Sequence, residues 1–127
     1  MNKKIIIAAL VFVAAIVLLI IWPASPIESP TTTEVQARVI EVSGENFLFS
    51  PNEIRVQQGE LVKIVFTNDG TYPHDWVIDE FNARTSIINP KEVAEVSFTP
   101  TQTGEFEYYC SVANHRAMGM VGKLIVE

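Results

Sequence analysis

Between Glu34 and Glu127 no run of ten or more residues carries an apolar repeat of 3.6, and this lack of helical period constrains the fold more than any single motif. Short alternating stretches stand in its place, each closed by turn residues. "VQARVIEVSG" alternates up to Gly44, and "NFLFSPNEIRVQQGE" reads as two short strands broken by Pro51 and Gly59. "LVKIVFTNDG" sets Val62, Ile64 and Phe66 on one face and closes at Asn68-Asp69-Gly70. "HDWVID" opposes Trp76 and Ile78 to Val77, and "EVAEVSFTP" opposes Ala94, Val96 and Phe98 to Val93, Glu95 and Ser97. In "GEFEYYC", Phe106 and Tyr108 share a face, so Tyr109 points to the other side. "MVGKLIVE" supplies Val121, Leu124 and Val126 as core candidates. "EFNARTSIIN" is too polar and β-branched for more than one helical turn. The spacing predicts an all-β sandwich or small barrel.

The start of the chain obeys different physics. Ile5 to Ile21 is 17 apolar residues in a row, at the short end of what spans a bilayer. Trp22 stands at the interface position, and Lys3 and Lys4 precede the run, which directs the following domain out of the cytoplasm. Neither Ala24 nor Ser25 completes a good small-x-small cleavage site, so residues 1–22 read as a retained anchor, with a cleaved signal as the alternative. Residues 23–33 hold Pro23, Pro26, Pro30 and "TTT", a stiff solvated linker. Residues 34–127 are then one exported domain, on the periplasmic side or at the cell surface.

Charge narrows the partners. Beyond Lys3 and Lys4 there are seven Lys and Arg against fifteen Asp and Glu, a net charge of −8. Such a surface does not suit a nucleic acid, and it carries no basic patch for lipid headgroups. Cys110 is the only cysteine, so no internal disulfide is available in an oxidising compartment. A lone exported thiol is a liability unless it is buried or bound.

Alone, Cys110 would read as a buried structural thiol. Its surroundings argue otherwise. His115 and Met120 follow it within eleven residues, and His74, the only other histidine, lies 36 residues upstream after a turn. If these strand ends meet at one pole of a sandwich, two imidazoles, one thiolate and one thioether share a point. That soft donor set selects copper, with His74, Cys110 and His115 as the strong ligands and Met120 as a weak axial one. Zinc would take the same nitrogens and thiolate but gains little from a thioether. Met118 reads as a rim residue, and Trp76 as core.

With these residues in place, "YPHDWVID" followed by "YYCSVANHRAMGMVGKLIV" resembles the cupredoxins, the blue copper electron carriers of plastocyanin and azurin type. The likeness extends over Glu34–Glu127, including "LFSPNEIRVQQGELVKIVFTND" with its Pro turn, Gly turn and strand ending in Asn. It implies a Greek-key β-sandwich, which here follows the one transmembrane helix read from residues 1–22, and one mononuclear type 1 copper that cycles between Cu(I) and Cu(II). It places His74, Cys110, His115 and Met120 as the ligands, with the His-x4-Met-x-Gly pattern choosing Met120 for the axial position. It also implies electron exchange through an apolar window around His115, formed by Pro73, Ala113, Ala117 and Met118, with Arg116 beside it to orient an acidic partner. A quinol-oxidising complex, a terminal oxidase or a copper reductase would be the redox partners, and the carrier would be a monomer.

Two features depart from plastocyanin proper. "SVAN" puts four residues between Cys110 and His115, a loop closer to azurins and to other bacterial and archaeal carriers. Asp75 stands where the family often has Asn, and we expect its side chain to bond Ser111 Oγ or a backbone N–H next to Cys110. Copper enzymes need further histidines, and the dinuclear domain of cytochrome oxidase needs a second cysteine, so an enzyme is not expected. A copper chaperone or storage protein is the alternative function.

Overall fold

The computed structural model describes residues 35–127; the proposed anchor and linker, residues 1–22 and 23–33, lie outside the described residues. Among the described residues, nine strands form two sheets. They are β1 (Arg38–Glu45), β2 (Leu48–Ser50), β3 (Glu53–Val56), β4 (Val62–Asn68), β5 (Val77–Ile78), β6 (Ala83–Arg84), β7 (Val93–Phe98), β8 (Gly104–Tyr109) and β9 (Val121–Val126). One sheet runs β2-β1-β4-β7 and the other β3-β9-β8-β5-β6. The chain changes sheets at Pro51, whose missing N–H ends the ladder on β2 without leaving a donor unpaired.

Two parallel pairings set which strand ends meet. β1 lies parallel to β4 with Gly44 opposite Asn68, and β3 lies parallel to β9. β8 and β9 run antiparallel with Tyr109 opposite Val121. The residue after β8 and the residue before β9 therefore sit side by side, and they are Cys110 and Met120.

Alternation carries the core. Val62, Ile64, Phe66 and Asn68 of β4 are buried in strict period two, as are Leu124 and Val126 of β9. Aromatic rings stitch the sheets together. Phe49 meets Tyr108 at 5.3 Å between ring centres, and Trp76 stacks on Phe98 at 5.9 Å. Tyr108 faces inward and is fully buried, while Tyr109 on the opposite face is half-buried.

Three local expectations are adjusted. Val121 is half-buried rather than core, because it sits at the mouth of β9. Val77 faces away from Trp76 yet is also buried, since every residue from His74 to Ile78 is covered. The "EFNARTSIIN" stretch contributes the two-residue strand β6 and an antiparallel bridge between His74 and Ile88.

Candidate metal centre

His74 rides on the segment between β4 and β5, and Asn68 shapes that segment. The Asn68 side chain is fully buried; its amide donates to the carbonyls of Tyr72 (2.8 Å) and Ile88 (3.0 Å), and its Oδ1 accepts the Gly70 N–H (3.0 Å). The His74 N–H donates to Ile88 O at 3.1 Å and the Ile88 N–H to His74 O at 2.9 Å. One side chain thus ties down both arms of the loop that presents the imidazole. Asn68→Asp keeps the acceptor but turns a carboxylate toward two carbonyls. We expect it to cost about 2–3 kcal/mol, since two buried acceptors lose their donor. Urea or thermal denaturation should show a midpoint lower by roughly 10–20 °C.

Cys110, His115 and Met120 are held by backbone bonds among themselves. The Cys110 N–H donates to Met120 O (3.1 Å), and the Met120 N–H to His115 O (3.0 Å). The donor atoms then converge. Cys110 Sγ lies 3.7 Å from His74 Nδ1 and 3.5 Å from His115 Nδ1, and the two Nδ1 atoms are 3.2 Å apart. All three residues are buried. Zinc bonds imidazole nitrogen at about 2.0 Å and thiolate at about 2.3 Å; donors 120° apart at such lengths stand roughly 3.5 Å (N to N) and 3.7 Å (N to S) from one another. The observed triangle fits one first-row ion bound trigonally.

Met120 is fully buried and its backbone is bonded to those of Cys110 and His115, whereas Met118 is half exposed on the surface. The Met120 side chain reaches Gly44: a Cβ added there would stand 2.9 Å from Met120 Cε and 2.9 Å from Phe66 Cζ. Gly44 therefore leaves the space that the methionine fills.

Electrostatics suit ligands awaiting a cation. Burial lowers the His74 pKa, reinforced by His115 and opposed by Asp75, so the ring is held neutral, the form that ligates. Burial raises the Cys110 pKa, while backbone N–H groups of Asp75 and Val112 favour the thiolate. A bound cation would settle that contest for the thiolate.

Asp75 makes both of the bonds foreseen as alternatives. Its Oδ1 accepts the Ser111 N–H at 2.7 Å and its Oδ2 accepts Ser111 Oγ at 2.5 Å. Asp75 is 3% exposed, and no Lys, Arg or His among the described residues forms an ion pair with it. On the surface, the Arg116 Nε donates to Glu107 at 2.8 Å and its guanidinium lies 3.9 Å over the Tyr109 ring.

Two aromatic residues complete the site, and spacing alone does not reveal them. Phe47 sits edge-on to His115 at 4.8 Å between ring centres and to His74 at 6.1 Å, and Tyr72 stacks on Phe47 at 5.6 Å. Asn68 had a signal in the sequence, an Asn closing an apolar strand before Asp-Gly, but Phe47 had none.

A β-sandwich that gathers two imidazole nitrogens and one cysteine sulfur at a buried point is a mononuclear metal-binding domain. Residues 10–126 match the Cupredoxin-like domain family, and the chain belongs to it. It is 29% identical over 111 residues to a plastocyanin of Synechococcus sp. (strain JA-2-3B'a(2-13)), covering 79% of each chain. It is 36% identical over 91 residues to a plastocyanin of Cucurbita pepo, covering 61% of this chain and 86% of that one. Among solved structures it resembles auracyanin A, described as a "blue" copper protein from Chloroflexus aurantiacus. The TM-score is 0.65 at 27% identity, over 72% of this chain and 100% of the other.

Proposed function

We propose that this protein is an exported, membrane-tethered blue copper protein that carries single electrons and is not an enzyme. The convergence of His74 Nδ1, Cys110 Sγ and His115 Nδ1 within 3.7 Å of one another carries the reading. These three residues hold the ion, and Met120 takes the axial position beside them. Copper, when bound, supplies a Cu(I)/Cu(II) couple; the chain's own residues fix the donors and keep water out.

Rigidity is the protein's main contribution. Asn68 pins the His74 segment, Asp75 pins Ser111 next to the thiolate, and the Cys110–Met120 backbone bond closes the loop. A scaffold that sets its ligands before the ion arrives has little to rearrange when the charge changes. Pro73, Ala113, Ala117 and Met118, neighbours of His74 and His115 in the chain, are exposed while His115 is nearly covered, and they would form a small apolar window suited to brief docking. Redox proteins such as a quinol-oxidising complex, a terminal oxidase or a copper reductase are the partners this window would meet. The apolar segment of residues 1–22 would hold the domain near them and raise its effective concentration.

One equivalent of Cu(II) added to the purified protein should produce an intense visible thiolate-to-copper charge-transfer band that ascorbate bleaches. A tight but colourless complex would favour copper storage or delivery instead.

A further inference from the structure

Phe47 occupies a position where its residue type does not belong. β1 and β2 are joined by Asn46 and Phe47 alone, with Glu45 opposite Leu48, and both turn residues have positive φ, 49° and 63°. A two-residue hairpin of this kind favours Asn-Gly, because glycine adopts the left-handed region without steric penalty. Asn46 suits its place. Phe47 is a bulky residue in a conformation that such residues rarely hold, and backbone outliers of this sort persist where something else over-determines them. The ring explains it, since it lies edge-on against His115 and is backed by Tyr72.

We infer that Phe47 is a positioning residue for the metal centre: the turn accepts an unfavourable backbone so that the phenyl ring, clamped by Tyr72, locks the His115 imidazole in its ligating rotamer and seals that side of the site. The inference rests on the copper reading above, but the geometry acts on the ring whether or not an ion is present. His115 sits on the loop between Cys110 and Met120, whose turn-like backbone bonds fix the main chain and not the imidazole plane. The ring also lies 4.9 Å from His74 between ring centres, and its Nδ1 lies 3.5 Å from Cys110 Sγ. Phe47 is an apolar wall that meets the edges of both imidazoles, closer to His115 than to His74. Tyr72 is 56% exposed and covers the outer face of Phe47, so the stack runs from solvent inward as Tyr72, Phe47, His115.

The test compares wild type, F47G and Y72A as full-length proteins. F47G gives the turn its preferred residue while deleting the ring. Its copper-free form should therefore keep or exceed the wild-type thermal midpoint, in contrast to an ordinary core truncation. Copper release into excess EDTA should nevertheless be about tenfold or more faster, the scale seen when a group orienting a metal ligand is lost. Y72A should accelerate release in the same direction by a smaller factor. In the copper-free proteins, side-chain NMR should show one His115 ring orientation in wild type and several in F47G. Wild-type release rates together with a single ring orientation in F47G would overturn the inference, whatever the midpoint does. If wild type bound no copper, the copper reading would fall, and the ring measurement would still decide the role of Phe47.

Discussion

Gly122→Ala should destabilise the domain by about 3 kcal/mol, the upper end of what one added methyl group costs in a packed core, and more than alanine at any other glycine of the described residues. A Cβ at Gly122 would stand 2.1 Å from Tyr108 Cζ, 2.3 Å from Cε2 and 2.4 Å from the hydroxyl oxygen. These are cross-strand partners, Tyr108 on β8 and Gly122 on β9. The tyrosine cannot yield cheaply: its ring is fully buried against Phe49 and Trp76, and its hydroxyl donates to Pro51 O at 2.7 Å. Displacing it gives up packing and a hydrogen bond together. Gly122 is not at positive φ, so the effect is one of space and not of backbone freedom.

A drop of that size in a domain of this length corresponds to a melting point lower by roughly 12–24 °C. The double variant Gly122→Ala/Tyr108→Leu decides the mechanism. Once the ring is gone, the added methyl should cost little, leaving a coupling energy of about 2–3 kcal/mol between the two sites. Additive effects would mean that the methyl group harms something other than Tyr108.

Tyr108 also shows what a sequence of this kind makes legible. Its inward face follows from the period of two in "GEFEYYC", as do the buried positions of β4 and most of β9. Alternation works where one face meets the core and the other meets water. It fails at β5, which has two residues and no solvent face along His74–Ile78. The slot at Gly122 is not legible either, because it exists only once β8 and β9 are in register.

The same division runs through the metal centre. His74, Cys110 and His115 stand out because soft donors are scarce in this chain, and the structure brings those three together. What surrounds them depends on which strand ends meet. Gly44 makes room for Met120 only because β1 runs parallel to β4 and brings its end to the same pole. Phe47 reaches His115 for the same reason. Such parallel pairings link segments far apart along the chain, and no local pattern announces them. Asp75 is the intermediate case. Its position after His74 marked it, and the expected bond appeared twice over.

That carboxylate leads to the prediction with the largest functional effect. Asp75→Asn should raise the reduction potential on the order of 100 mV. Asn is nearly isosteric; its carbonyl can accept the Ser111 N–H and its amide can donate to Ser111 Oγ, so the loop stays pinned while the charge goes. In the native chain that charge is buried with no ion-pair partner among the described residues, and it is bonded to Ser111, the residue next to Cys110. Two unit charges about 6 Å apart at an effective dielectric of about 20 interact by roughly 3 kcal/mol. The negative charge favours the oxidised ion, which carries one more positive charge, over the reduced one. Removing it therefore shifts the equilibrium toward Cu(I) by about two powers of ten, at about 59 mV for each. Ser111→Ala supplies the control, since it loses one hydrogen bond and keeps the charge; its potential should move much less. Voltammetry on the three proteins reads the result directly. If Asp75→Asn stayed within about 30 mV of wild type, well under the Coulomb value above, the carboxylate would be holding the loop without tuning the ion.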